Sequence, residues 1–74
     1  MTLFELKPGQ SAEIERIDEK CALRERLWDM GLVKGTSVTL LHSAPFSGPL
    51  EILLRNYHLT LRADDAKLIY LRKT

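Results

Sequence analysis

Polar and apolar residues alternate from Ser11 to Ile17, where Ala12 and Ile14 are separated by Glu13 and Glu15. A period of two sends one row of side chains inward and leaves the other in solvent, as a half-buried strand requires. Ile17 is out of phase with Ile14, which predicts a bulge or the strand's end near Arg16. From about Lys20 to Met30 the period lengthens. Leu23, Leu27 and Met30 recur at i, i+4 and i+7 and so share one helical face, with Asp18 as the expected cap. Gly31 stands where a helix commonly ends in a left-handed residue, and Leu32 can fold back as the apolar contact of that cap.

Turn residues divide the rest. Lys7-Pro8-Gly9-Gln10 precedes the first strand, and Lys34-Gly35 leads into a second strand from Ser37 to His42. Ser43-Ala44-Pro45-Phe46-Ser47-Gly48-Pro49 must be a loop, because two prolines and a glycine so close together cannot sustain a ladder. Glu51 to Arg55 and His58 to Arg62 read as a hairpin turning at Asn56-Tyr57. A two-residue turn there sets Leu54 against Leu59, Ile52 against Leu61 and Glu51 against Arg62. Asn56 tolerates positive φ better than Tyr57, which leaves the turn type open. Asp64 is expected to cap one helical turn through Ala66, and Ile69 and Leu71 supply a last strand. The pattern predicts a mainly β fold: a small five-stranded barrel, closed to protect its edges, with one short α-helix after the first strand.

At 74 residues, 45% of them apolar, the chain is expected to form a single domain over residues 1–74 with one core. Eleven basic residues against ten acidic ones leave a formal charge of +1, with no general attraction to nucleic acid or anionic lipid. Arg55, His58 and Arg62 can share one outer face, but Glu51 balances it, and no nucleic-acid partner is expected. Cys21 is the lone cysteine, which fits a reducing compartment and rules out an intrachain disulfide. Neither a signal peptide nor a membrane-length apolar run is visible, so a cytosolic protein is expected, reaching a membrane only through a partner.

Catalytic chemistry finds little support. Cys21, Ser43, Ser47, His42 and His58 are the nucleophile and base candidates, and their spacing does not join any of them into a working pair. There is no Gly-x-x-x-x-Gly-Lys-Ser/Thr loop, so nucleotide binding belongs to another chain. His42, His58, Cys21, Asp64 and Asp65 could in principle hold a metal. Regular strand phase sets His42 on the Val38 and Leu40 face, whereas His58 lies opposite Leu59 and Leu61, so the imidazoles are expected to diverge. No metal site, cofactor or enzymatic activity is expected.

The spaced anchors resemble the FeoA family over nearly the whole chain. They are Leu6-Lys7-Pro8-Gly9, then Leu23 and Arg24 leading through Leu27 to Asp29-Met30-Gly31-Leu32, then Lys34-Gly35-Thr36 with Val38. Ala44-Pro45, Leu59, Leu61-Arg62, Ala66 and Ile69 complete the series. The resemblance implies an SH3-like barrel in the cytosol, working beside FeoB, the membrane GTPase-permease for ferrous iron. Two departures stand out: Asn56 replaces the family's usual hairpin glycine, and Ser47-Gly48 replaces a more usual acidic residue before Pro49. The same barrel resembles the C-terminal domain of DtxR-type metal-dependent repressors, without their DNA-binding segment.

A non-enzymatic adaptor or modulator docking on the cytosolic region of FeoB is the resulting expectation. Its rivals are a metal-binding, sensing or carrier protein and a stand-alone barrel related to the repressors. Helical phase sets Cys21 and Trp28 together, opposite Leu23 and Met30, and Phe46 sits at the tip of the proline loop. Trp28, Phe46 and Cys21, flanked by Arg24 and Arg26, are therefore the expected partner surface. Gly9, Gly31, Gly35 and Pro45 are expected to be structural turn residues, and no obligate homo-oligomer is expected.

Overall fold

A computed structural model describes residues 1–72. After a 3₁₀ turn at Leu3–Glu5 come β1 (Ser11–Ile17), α1 (Arg24–Asp29), β2 (Ser37–Ser43), β3 (Leu50–Leu54), β4 (Tyr57–Leu61), α2 (Ala63–Ala66) and β5 (Ile69–Arg72). The strands form one antiparallel sheet in the order β4-β3-β2-β1-β5. The fold is mainly β. Among the described residues no ladder joins β4 to β5, so the sheet does not close by strand pairing as expected. The chain crosses that gap through α2, and the outer edge of β5 is met by a Thr2–Tyr70 bridge and a bond from the Leu71 N–H to the Met1 carbonyl at 2.7 Å.

Ala12, Ile14 and Ile17 all point inward from β1, and the register with β5 slips between Ile14 and Arg16. The extra residue lets Ile17 regain the core despite its odd spacing, which is the predicted bulge. Leu3, Ile14, Leu32, Leu40, Leu50, Ile52, Leu54 and Ile69 are fully buried, and no polar side chain is buried with them among the described residues.

The helix is shorter than its periodicity implied. Asp18 Oδ1 accepts the Lys20 N–H at 2.9 Å and the Asp18 carbonyl accepts the Cys21 N–H at 2.9 Å. That turn holds residues 18–21 out of the helix, so Asp18 organises the approach rather than capping α1. The far end follows expectation: the Leu32 N–H bonds to the Leu27 carbonyl at 2.9 Å and the Gly31 N–H to the Trp28 carbonyl at 3.0 Å, with Gly31 at φ 103°. These are the two bonds of a Schellman cap. Leu32 thereby enters the core, while Met30, expected inside, is exposed. Gly9 and Gly35 also hold positive φ at their turns.

The β3–β4 turn is Arg55-Asn56, not Asn56-Tyr57. Leu54 pairs with Tyr57, Ile52 with Leu59, Leu50 with Leu61 and Glu51 with Thr60. The register differs from expectation by two residues, so every side chain keeps its face. Arg55, at φ 53°, takes the left-handed position that Asn56 was expected to hold. Tyr57 is held in the strand, where its hydroxyl donates to the Met30 carbonyl and ties the hairpin to the end of α1. Asp64 likewise lies in the first turn of α2 rather than at its cap, a position Arg62 occupies.

Candidate functional site

Leu27 anchors α1 in the core, so Trp28, about 100° further round the helix, faces outward. It is 42% exposed, with the Arg24 guanidinium one turn earlier lying 4.7 Å from its ring centroid. Such a stack holds the indole in one orientation without covering it on both faces. Beside it a cleft of about 510 Å³ runs between α1 and the second half of β1, with Ile17 and Leu32 among its lining residues and Arg16, Lys20 and Lys34 at its rim. Arg16 is held back by contacts to Asp18, at 3.9 Å, and to the Tyr70 ring, at 4.0 Å.

The other expected surface residues do not gather there. Cys21 precedes the helix, so helical phase does not apply to it, and its side chain turns into the core at 4% exposure. Burial pushes its thiol up from the ordinary value, opposed by a backbone bond from Leu23 and reinforced by the carboxylate of Asp65, whose Oδ1 lies 3.8 Å from Sγ. A buried thiol held protonated is neither a contact surface nor a ready nucleophile. Arg26, exposed but two residues before Trp28, points to a different side of α1 and does not line the cleft.

Phe46 is fully exposed, but at another end of the molecule. The register pairs Val38 with Leu54 near the exit of α1 and Ser43 with Leu50 beside the Phe46 loop, about 15 Å along the hairpin. Phe46 and Ser47 hold φ of 58° and 60°, closed by a Gly48 N–H bond to the Pro45 carbonyl at 3.2 Å. Two successive left-handed residues with side chains cost on the order of 1–2 kcal/mol each. No turn signal in the sequence marked Phe46 for that geometry. Gly48 is required here for space, since a β-carbon would stand 2.6 Å from that of Ala44.

The two histidines also differ from expectation. The β2–β3 register slips between Leu40 and His42, so His42 pairs with Glu51 and moves to the outer face. His58 pairs with Leu53 on that same face, its Nδ1 3.5 Å from Glu51 Oε2. Diverging strand phase therefore gives no reason to separate them. Glu51, expected opposite Arg62, is engaged with His58 instead. Among the described residues, no group of three or more His, Cys, Asp or Glu side chains is arranged to hold a metal ion, and no helix is long and apolar enough to cross a membrane.

The family model for the FeoA domain matches residues 1–73. The chain belongs to the FeoA family. It is 35% identical over 69 residues to a Porphyromonas gingivalis protein named as a fusion of Fe(2+) transport protein A with the Fe(2+) transporter FeoB. That match covers 93% of the chain but spans only 8% of the fusion's length. The solution structure of FeoA from Chlorobium tepidum superposes with a TM-score of 0.89 at 37% identity, covering 99% of this chain and 70% of that one. Stenotrophomonas maltophilia FeoA, solved in complex with zinc and described as a prokaryotic SH3 domain protein, matches at TM-score 0.85 and 30% identity over 97% of this chain and 89% of that one. The SH3-like architecture is thus common to this chain and its relatives. A manganese-dependent transcriptional repressor shares the fold at TM-score 0.88 but only 15% identity, over 100% of this chain and 41% of the repressor. Family membership associates the chain with ferrous iron transport.

Proposed function

We propose that the chain is a non-enzymatic, cytosolic adaptor or modulator of bacterial ferrous iron uptake, and that it docks on the cytosolic region of FeoB. The observation that carries this reading is Trp28, a large aromatic left 42% exposed and oriented by Arg24 beside an open cleft. Aromatic and arginine side chains so arranged are the usual anchors of protein interfaces. The fused relative supports the choice of partner, because joining two chains is useful where their products work together. Phe46 is a second apolar anchor on a separate patch, and Arg26 contributes through its charge alone. Any contact with the membrane runs through FeoB.

Co-purification with the FeoB cytosolic region in its different nucleotide states tests the reading, with calorimetry to measure affinity. Binding that depends on Trp28 supports it, and absence of binding in every state refutes it. A metal-binding or carrier role is the second reading, favoured by the zinc complex of the S. maltophilia relative. Ferrous iron binding tighter than about 10 μM, roughly 7 kcal/mol, would favour it. For the repressor-related reading, the common fold is the only support.

A further inference from the structure

β1 is paired unevenly. On one side β5 accompanies it from Glu13 to Ile17, but on the other β2 matches only Ser11, Ala12 and Glu13. The Ile14 N–H and carbonyl are then taken by the Thr36 carbonyl and the Gly35 N–H, both at 2.8 Å, and the chain departs. Among the described residues, no strand pairs with Glu15 to Ile17 on that side. The Asp18 N–H turns to the Leu68 carbonyl on the β5 side, so by alternation the Ile17 N–H and carbonyl face the open side, and an open strand edge offers such groups to any extended chain that can reach it. This stretch forms one wall of the cleft beside Trp28, and the bulge turns both Glu15 and Arg16 into solvent.

Charge narrows the choice of occupant. The cleft is lined by four cations against three carboxylates, Glu15, Asp18 and Glu19. Asp18 is committed to the Lys20 N–H and Arg16; among the described residues Lys20, Arg24 and Lys34 have no carboxylate within 4.0 Å and Glu15 and Glu19 have no cation, which leaves three free cations against two free carboxylates. An excess of unpaired cations favours a segment bearing carboxylates.

We propose that the open half of β1 receives an extended, acidic segment of the partner, which adds to the sheet as a further strand between β1 and α1, with an apolar side chain against Trp28. Resting on the reading that the chain docks on FeoB, this names the form and charge of the segment that docks. Strand addition derives affinity from main-chain bonds and specificity from alternate side chains. Here the side chains of the segment would meet Trp28 and the free cations Lys20, Arg24 and Lys34.

The test uses the full chain, isotopically labelled, with the FeoB cytosolic region as probe. In the complex the Ile17 backbone amide, which faces the open side, should exchange at least about tenfold more slowly, and intermolecular Hα–Hα or amide contacts should appear along this edge. Lys20→Glu with Lys34→Glu, two surface changes, should weaken binding about tenfold and leave the melting temperature unchanged. Binding that protects only the Phe46 loop or the outer face of β3 and β4 would overturn strand addition and leave FeoB docking standing. No binding at all would overturn both.

Discussion

A β-carbon at Gly31 would stand 3.1 Å from the Nε of Arg55. The glycine that ends α1 thus also makes room for the side chain at the β3–β4 turn, and both residues have positive φ. Together with the Tyr57 bond to Met30, this contact fastens the end of the helix to the hairpin.

Gly31→Val should therefore destabilise the fold by about 1 kcal/mol or more, from the left-handed backbone alone. Arg55→Ala in the same chain should recover only the part due to crowding, and thermal melts of the single and double variants separate the two. An unchanged melt for Gly31→Val would mean that the helix does not end in this cap.

The 3₁₀ turn at the start of the chain predicts a pH effect. Glu5 Oε1 accepts the Thr2 N–H at 2.7 Å, and this bond, aided by the Thr2 side chain, holds the Glu5 carboxyl below its ordinary value of 4.5. A lowered folded pKa stabilises the fold above the unfolded value, and that contribution is lost as pH falls through the folded value. Glu5→Gln should flatten the acid limb of the stability curve below about pH 4.5. An NMR titration placing the Glu5 midpoint at or above that value would contradict the assignment.

His42→Gln with His58→Gln should leave iron uptake by a deletion strain nearly intact. The two imidazoles share an outer face with Glu51, yet their side chains do not converge into a metal-holding group with it. Both are exposed, so the double change should also alter stability by no more than about 0.5 kcal/mol. Loss of uptake by a folded variant would favour the metal-carrier reading.

Much of this fold is legible in local chemistry, and the exceptions have physical causes. Alternation through Ala12 and Ile14 marks β1, and the misplaced Ile17 betrays its bulge. Gly31 followed by Leu32 marks the helix end because few other arrangements satisfy a helix's last carbonyls. The bulge in β2 leaves no such trace: Leu40 and Leu41 are equally apolar, so nothing distinguishes the inward residue from the extra one. Asp18 also misleads, since its side chain can cap a helix or hold a turn, and tertiary packing selects the turn. The exposure of Trp28 is legible from helical phase, whereas the burial of Cys21 is not, because it lies outside the helix. The cleft is not legible at all. Arg16 and Lys20 lie at the end of β1 and just beyond it, whereas Lys34 follows α1, and only the fold brings them to one cleft.

Truncating Trp28 measures directly whether it anchors docking on FeoB. A partly buried tryptophan can contribute to folding as well as binding, so stability and affinity must be read on the same samples. Calorimetric titration of the FeoB cytosolic region should show Trp28→Ala weakening association by at least about 2 kcal/mol, with a nearly unchanged melting temperature. Phe46→Ala serves as a comparison on the separate patch. A Trp28→Ala chain that melts early yet binds FeoB with normal affinity when folded would contradict the account, making the indole part of the domain's own packing.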